Sequence, residues 1–219
     1  MEYWGIKGMF ALKGDLKTFI KQHPVTNAFI AFCIVIALSI TFLVGGYSNE
    51  SIIMHGGLDK YLIEEGQIWR LITYAFGHMS LFHLLLNIPV FLILSHPLER
   101  YYGSKLYSLI FLLLILLSGV SIFYFYNGSY PLAGSSGVGY GLMGIYAFYL
   151  LKHSHKLSSY DKKLISGFLL IGILTTFSVP DISISGHFGG LVSGFIVALI
   201  LYSLKENLKI KQFYVTPGN

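Results

Sequence analysis

Two polar residues stand at the mouths of apolar helices in this chain, and together they have the chemistry of hydrolysis. Ser136 lies in Ala133-Gly134-Ser135-Ser136-Gly137, directly before an apolar run over 138–151. His187 lies in Ser185-Gly186-His187-Phe188-Gly189-Gly190, directly before another over 191–204. Polar, ionisable groups at bilayer depth are costly and are seldom kept without a use. A serine hydroxyl beside an imidazole makes a nucleophile with its general base. His83 and Asn87 stand at i and i+4, so both project from one helix face. Their imidazole and amide N–H groups suit a developing oxyanion. The backbone N–H of Ser136, at a helix N-terminus, is a third donor in a favourable dipole. Without the serine and the histidine, His83 and Asn87 would read first as a polar pair that holds helices together.

Such a site needs helices that approach closely. Gly137, Gly141 and Gly144 lie at i, i+4 and i+7 on one face of the run after Ser136. His187, Gly190 and Gly194 lie at i, i+3 and i+7 on one face of the run after His187. Glycine faces let helix backbones come together in a membrane. A hydroxyl–imidazole hydrogen bond of about 2.6–3.2 Å requires that approach. Glycine seams alone are ordinary packing; here each carries a polar residue at the same depth.

Composition sets the medium. The chain has 219 residues, 54% hydrophobic and 11% charged, with a mean hydropathy of +0.67. An average soluble domain carries about 25% charged residues. The sequence therefore reads as an integral membrane protein with one domain of several spans. Its net charge of +5 is scattered between apolar runs, a pattern of topology signals that leaves no nucleic-acid face. The single cysteine, Cys33, lies inside the first apolar run, so no internal disulfide is expected. That run starts well inside the chain and is long enough to span, unlike a cleavable signal peptide.

Six apolar runs follow one another: 27–44, 81–94 with Pro89 inside it, 106–126, 138–151, 164–179 and 191–204. The last three are short for lipid-exposed spans, but short helices suffice where they begin in a protein-lined cavity. The segments between the runs alternate in sign. The N-terminal segment with Lys7, Lys13, Lys17 and Lys21 is basic, and the 45–78 loop with Glu50, Asp59, Glu64 and Glu65 is acidic. The turn with Arg100 and Lys105 is basic, and 127–135 is uncharged. Lys152, Lys156, Lys162 and Lys163 make the next segment basic, and Asp181 makes the one after acidic. Lys205, Lys209 and Lys211 return a basic end. The positive-inside rule then gives an all-α polytopic membrane protein of six transmembrane helices, with N- and C-termini cytoplasmic. Ser136, His187 and the 78–87 region all fall at non-cytoplasmic ends of their spans.

Three segments are expected. Residues 1–24 form a short cytoplasmic amphipathic segment, with Met9, Phe10, Leu12, Leu16, Phe19 and Ile20 among its lysines. It reads either as a segment lying on an anionic membrane surface or as a partly ordered tail. Residues 25–205 form the six-helix domain, and 206–219 a cytoplasmic tail.

With these residues in place the chain resembles the rhomboid intramembrane serine proteases of the bacterial six-span type. The matching residues are Trp69-Arg70, the spaced His78, His83 and Asn87, the Gly134-Ser135-Ser136-Gly137 motif, and His187 with Gly190 and Gly194. The resemblance covers about residues 25 to 205. It implies a rhomboid-like bundle in which Ser136 is the nucleophile and His187 the general base. It implies an oxyanion hole from His83, Asn87 and the Ser136 N–H, and a Tyr140 that packs on the His187 ring. Gly134, Gly137, Gly190, Gly194 and His78 are supporting residues by the same token. Trp69-Arg70 is structural, and Glu99 with Gly103-Ser104 matches the turn between spans two and three. The chain departs from the family in Ser95-His96-Pro97-Leu98-Glu99, where a glycine often precedes the glutamate, and in Pro89, which bears on where Asn87 points.

The resemblance further implies cleavage of single-span membrane proteins near the non-cytoplasmic end of the span, with lateral entry between spans two and five. Thr175, Thr176, Phe177 and the 178–186 loop would move to admit substrate. Partners are then transmembrane substrates and membrane lipids, with no cofactor, and the setting is a bacterial plasma membrane. Two other readings compete. A non-catalytic client-binding relative would not need Ser136 and His187 together. A small-solute transporter would carry repeats and paired charges within its spans. A metal centre at His78, His83 and His187 lacks an H-E-x-x-H pattern or carboxylate pair. The G-x-G-x-x-G spacing of Gly139, Gly141 and Gly144 lies inside an apolar span with no strand before it, so no dinucleotide site is implied.

Overall fold

Among the described residues, ten α-helices, one short 3-10 turn (Ser154–Lys156) and the loops between them build the fold. The computed structural model describes residues 8–11, 15–178 and 183–207. Most of the expected N-terminal segment, Asp181 and the tail beyond 207 lie outside the described residues.

The chain order is α1 (Leu16–Gln22), α2 (Pro24–Leu43), α3 (Asn49–Met54), α4 (Lys60–Glu64), α5 (Arg70–Thr73), α6 (Leu81–Tyr102), α7 (Ser104–Phe125), α8 (Ser136–Lys152), α9 (Ser159–Ser178) and α10 (Ile184–Asn207). Each apolar run lies within or along one of the six long helices. Four of them are long and apolar enough to cross a membrane: α2, α6, α7 and the Ile184–Leu204 part of α10. The other two are special in different ways. α8 has only 17 residues, yet every residue over 137–146 is buried, so protein surrounds that stretch and lipid-spanning length is not required. α9 opens with Asp161, Lys162 and Lys163 before its apolar stretch begins.

Local chemistry sets the boundaries. Pro24 starts α2 at the position where its missing N–H costs nothing. Ser80 caps α6 by accepting the His83 N–H at 3.1 Å. α6 continues through both Pro89 and Pro97. It ends at Gly103, whose φ of 73° favours a residue without Cβ, and α7 begins at the next residue. Two edges differ from the apolar runs. α8 begins at Ser136 and α10 at Ile184, so the serine is the first residue of its helix and the histidine lies inside its first turn rather than before it. Glycine and serine interrupt the apolar pattern there without interrupting the helical hydrogen bonds.

α8 stands at the centre and packs most extensively on α10. A Cβ on Gly190 would collide with the carbonyl oxygen of Gly137, and one on Gly194 with that of Gly141. Gly144 sits equally tightly on the Leu191 carbonyl. The two backbones are thus in direct contact, as the glycine spacing predicts. The 44–80 connection is pinned by Arg70, which is buried. Its guanidinium donates to the carbonyls of Ile53 at 2.9 Å and Gly57 at 2.7 Å, and to Gln67 Oε1 at 2.8 Å. Its neighbour Trp69 is exposed. At the end of the bundle opposite Ser136, Met9 and Phe10 are buried rather than laid on the surface, with the Phe10 ring 5.2 Å from that of Tyr146. Leu16 and Ile20 of α1 remain exposed.

Candidate active site

Ser136 occupies the N-terminus of α8, where the first N–H groups of a helix have no intrahelical partner. The first intrahelical bond runs from the Gly139 N–H to the Ser135 carbonyl, at 3.1 Å. The N–H groups of Ser136, Gly137 and Val138 therefore precede the ladder, at the positive end of the helix dipole. Ser136 is half-buried, while its neighbour Ser135 is fully enclosed. The two serines have different partners. Ser135 Oγ lies 3.0 Å from His78 Nε2, and Ser136 Oγ lies 2.8 Å from His187 Nε2. The hydroxyl that meets an imidazole on α10 is thus that of Ser136.

His187 is held on three sides. Its Nε2 faces Ser136. Its ring stacks on Tyr140, one turn along α8 from the serine, with centroids 4.0 Å apart and planes 14° from parallel. Its Nδ1 lies 2.9 Å from Thr176 Oγ1, near the end of α9. The Tyr140 hydroxyl donates to the Gly172 carbonyl and lies 2.7 Å from Thr176 Oγ1. A serine hydroxyl bonded to an imidazole that is itself oriented is the arrangement that removes a proton from a nucleophile.

The supporting residues converge on the same place. A Cβ on Gly134 would lie 2.7 Å from His83 Cε1, so only glycine admits that ring beside the serine loop. The His83 and His78 rings meet edge to face at 5.2 Å. Asn87 is buried and gives one amide N–H to the His83 carbonyl at 2.8 Å, leaving its second N–H for another acceptor. Gly137 leaves room for Ser118, whose hydroxyl donates to the Gly186 carbonyl at 3.1 Å. Ser121 does the same for Ser185 at 2.8 Å, so α7 fixes the entry into α10 just before His187. Gly190 and Gly194 bring α10 onto α8, as described above.

Thr176, Gly172 and Ser118 had no assigned place around the imidazole. A visible signal was the Thr175-Thr176 pair, a polar interruption at the end of an apolar run. Gly172, one turn earlier, is spaced to leave its carbonyl open to them.

Comparison with known proteins identifies the family. The Rhomboid domain model matches residues 65–204, well over half of the chain. Rhomboid protease GluP of Bacillus subtilis is 30% identical over 190 residues, covering 86% of this chain but only 37% of that protein. The chain thus spans little more than a third of that longer relative. Putative rhomboid protease YdcA of the same organism is 25% identical over 200 residues, covering 90% of this chain and 98% of that protein. Rhomboid protease GlpG of Haemophilus influenzae is 27% identical over 198 residues, covering 88% and 98%. The domain match takes in Ser136, His187, Tyr140, His83 and Asn87, and on it the chain belongs to the rhomboid family.

Proposed function

We propose that the chain is an intramembrane serine endopeptidase that uses Ser136 and His187 as a catalytic dyad. The observation that carries this reading is the 2.8 Å contact between Ser136 Oγ and His187 Nε2, made between two helices whose backbones touch. Family membership makes peptide hydrolysis the expected chemistry, with relatives that bear the name protease. His187 takes the Ser136 proton as the oxygen attacks the scissile carbonyl. The resulting oxyanion is met by the Ser136 N–H, the free Asn87 amide N–H and the His83 imidazole. His187 returns the proton to the leaving amine, and water then releases the acyl-enzyme by the reverse sequence. No step needs a cofactor.

Six spans with both termini cytoplasmic fit the charge alternation, with α8 and α9 completing the count. On that topology the dyad opens to the non-cytoplasmic side. A bacterial plasma membrane suits the compact form and the Bacillus relatives. Substrates are single-span proteins, cut near the outer end of the span, since a helix hides its amides until it unwinds locally. The entrance is between α6 and α9, where Leu81, Phe82 and Leu85 on one side and Ile171, Leu174 and Phe177 on the other are exposed. Lipids cover the outer faces of α2 and α7, where Phe32, Phe42 and Leu109 are also exposed.

A fluorophosphonate probe tests the dyad independently of substrate. Labelling of the purified protein should map to Ser136 and vanish in both Ser136→Ala and His187→Ala. Label on another serine, or undiminished label in His187→Ala, contradicts the assignment.

A further inference from the structure

We propose that Thr176 is the positioning residue of the dyad: its hydroxyl accepts the Nδ1–H of His187 and so holds the imidazole with its Nε2 lone pair toward Ser136. The inference rests on the Ser136–His187 reading and adds a third member on a third helix.

The argument is one of proton accounting. A neutral imidazole carries one N–H and one lone pair, and its partners decide which nitrogen has which. To act as a base toward Ser136, His187 must keep its lone pair on Nε2 and its proton on Nδ1. Thr176 Oγ1 is the hydrogen-bond partner of Nδ1, at 2.9 Å. A hydroxyl donates to that nitrogen or accepts from it, and the two choices have opposite consequences. If Thr176 donated, Nε2 would carry the proton and Ser136 would face a group unable to remove its own.

The surroundings of Thr176 select acceptance. Its single proton has an acceptor inside α9, the Gly172 carbonyl at 2.9 Å. That carbonyl is a pure acceptor, so it takes the Thr176 proton rather than competing for the oxygen. The Tyr140 hydroxyl has one proton and touches both the Gly172 carbonyl and, at 2.7 Å, Thr176 Oγ1. When that proton goes to Thr176, the Thr176 proton goes to the Gly172 carbonyl. When it goes to the carbonyl, the Thr176 proton has the Tyr140 oxygen as a second taker, so in both arrangements it has a partner other than Nδ1. The sides of Thr176 Oγ1 left over are lone pairs, and one of them faces Nδ1. Gly172 makes the network possible. A Cβ there would lie 3.2 Å from the Tyr140 hydroxyl, which must pass close to reach the carbonyl.

A neutral hydroxyl therefore occupies the place that a carboxylate holds in serine-protease triads. It avoids the cost of a charge buried at membrane depth. Ser136 belongs to α8, His187 to α10 and Thr176 to α9, so the base is fully set only when α9 is seated against the other two helices.

The test compares wild type, Thr176→Val, Thr176→Ser and Gly167→Ala on one single-span reporter in detergent. ¹⁵N spectra of histidine-labelled protein are recorded alongside, with the His187 signal identified by its loss in His187→Ala. Thr176→Val keeps the shape and removes the acceptor. It should lower kcat by about 10- to 100-fold, as misplaced catalytic groups do, with KM within about twofold, and its His187 signal should leave the Nδ1–H tautomer. Thr176→Ser should restore both readouts, and Gly167→Ala, on the same helix where a Cβ meets nothing within 4 Å, should behave as wild type. Thr176→Ala carries the same expectation if the valine variant does not fold. Full kcat with an unchanged His187 signal in Thr176→Val or Thr176→Ala overturns the proposal. So does a Thr176→Ser variant as slow as Thr176→Val, which would mean packing alone. If Ser136→Ala cleaves as fast as wild type in the same assay, the dyad itself falls. If Ser136→Ala is inactive while Thr176→Val is fully active, only the role of Thr176 falls.

Discussion

Tyr140 does two things that different substitutions separate. Its ring lies flat on His187, and its hydroxyl reaches Gly172 and Thr176. Tyr140→Ala removes both and should lower kcat by about 10- to 100-fold, since a base displaced by about 1 Å loses that much. Tyr140→Phe keeps the stack and should retain more activity than the alanine variant. Steady-state cleavage of a reporter by both variants checks this, and equal activity in Tyr140→Ala and wild type would remove the stack from the account. Ser136 and His187 were legible as polar residues at the mouths of glycine-seamed apolar runs, whereas Tyr140 was legible only through the family resemblance. The choice between Ser135 and Ser136 was legible only through family resemblance. In the structure the two serines differ in their partners, since His78 takes the one and His187 the other. Thr176 was not legible as an orienting group. A threonine in an apolar helix ordinarily bonds back to the carbonyl four residues earlier, and Thr176 does that too. Its second bond, to His187, depends on how three helices meet, which no local pattern records.

At the scale of helices, the α8–α10 seam decides whether the serine and the imidazole meet. Gly190 and Gly194 face backbone carbonyls, which cannot rotate away as a side chain can. Gly194→Ala should therefore push the helices apart, costing about 1–3 kcal/mol as overpacking does, and should reduce cleavage with it. Gly167→Ala on α9 is the matched control, because a Cβ there meets nothing within 4 Å. Thermal unfolding in detergent and reporter cleavage measure both effects. Equal stability in the Gly194 and Gly167 variants would mean that the seam is loose. These glycines were legible from their i, i+3, i+4 and i+7 spacing. The helix starts were less so, because an apolar run marks where a helix is buried in apolar surroundings, and Ser136 and His187 sit in polar first turns.

The whole molecule is tied together at the end away from the dyad. The Glu99 carboxylate, buried on α6, accepts from the N–H groups of Val25 at 2.9 Å and Thr26 at 3.0 Å, from the Thr26 hydroxyl at 2.7 Å and from Ser104 at 2.9 Å. One side chain thus joins the starts of α2 and α7 to the end of α6. Asp161 does similar work at the start of α9, accepting from the Met9 N–H at 2.9 Å and from the Ser158 hydroxyl at 2.7 Å. Arg100 completes the corner by donating to the Met9 carbonyl at 2.7 Å. The helical, membrane-type architecture was legible from composition and from the order of runs and charges. The seating of Met9 and Phe10 was not. Their spacing among lysines suits an amphipathic surface segment, and only the assembled corner of Arg100, Tyr146 and Asp161 offers them a better place. On the proposed function, this anchored end leaves the opposite end to hold the dyad and receive a substrate helix. The most direct test of that account is cleavage of a single-span reporter in proteoliposomes by wild type, Ser136→Ala and His187→Ala. The account predicts one cut near the outer end of the span by wild type and none by either variant. Equal cleavage by all three, or by His187→Ala alone with wild type, would contradict it.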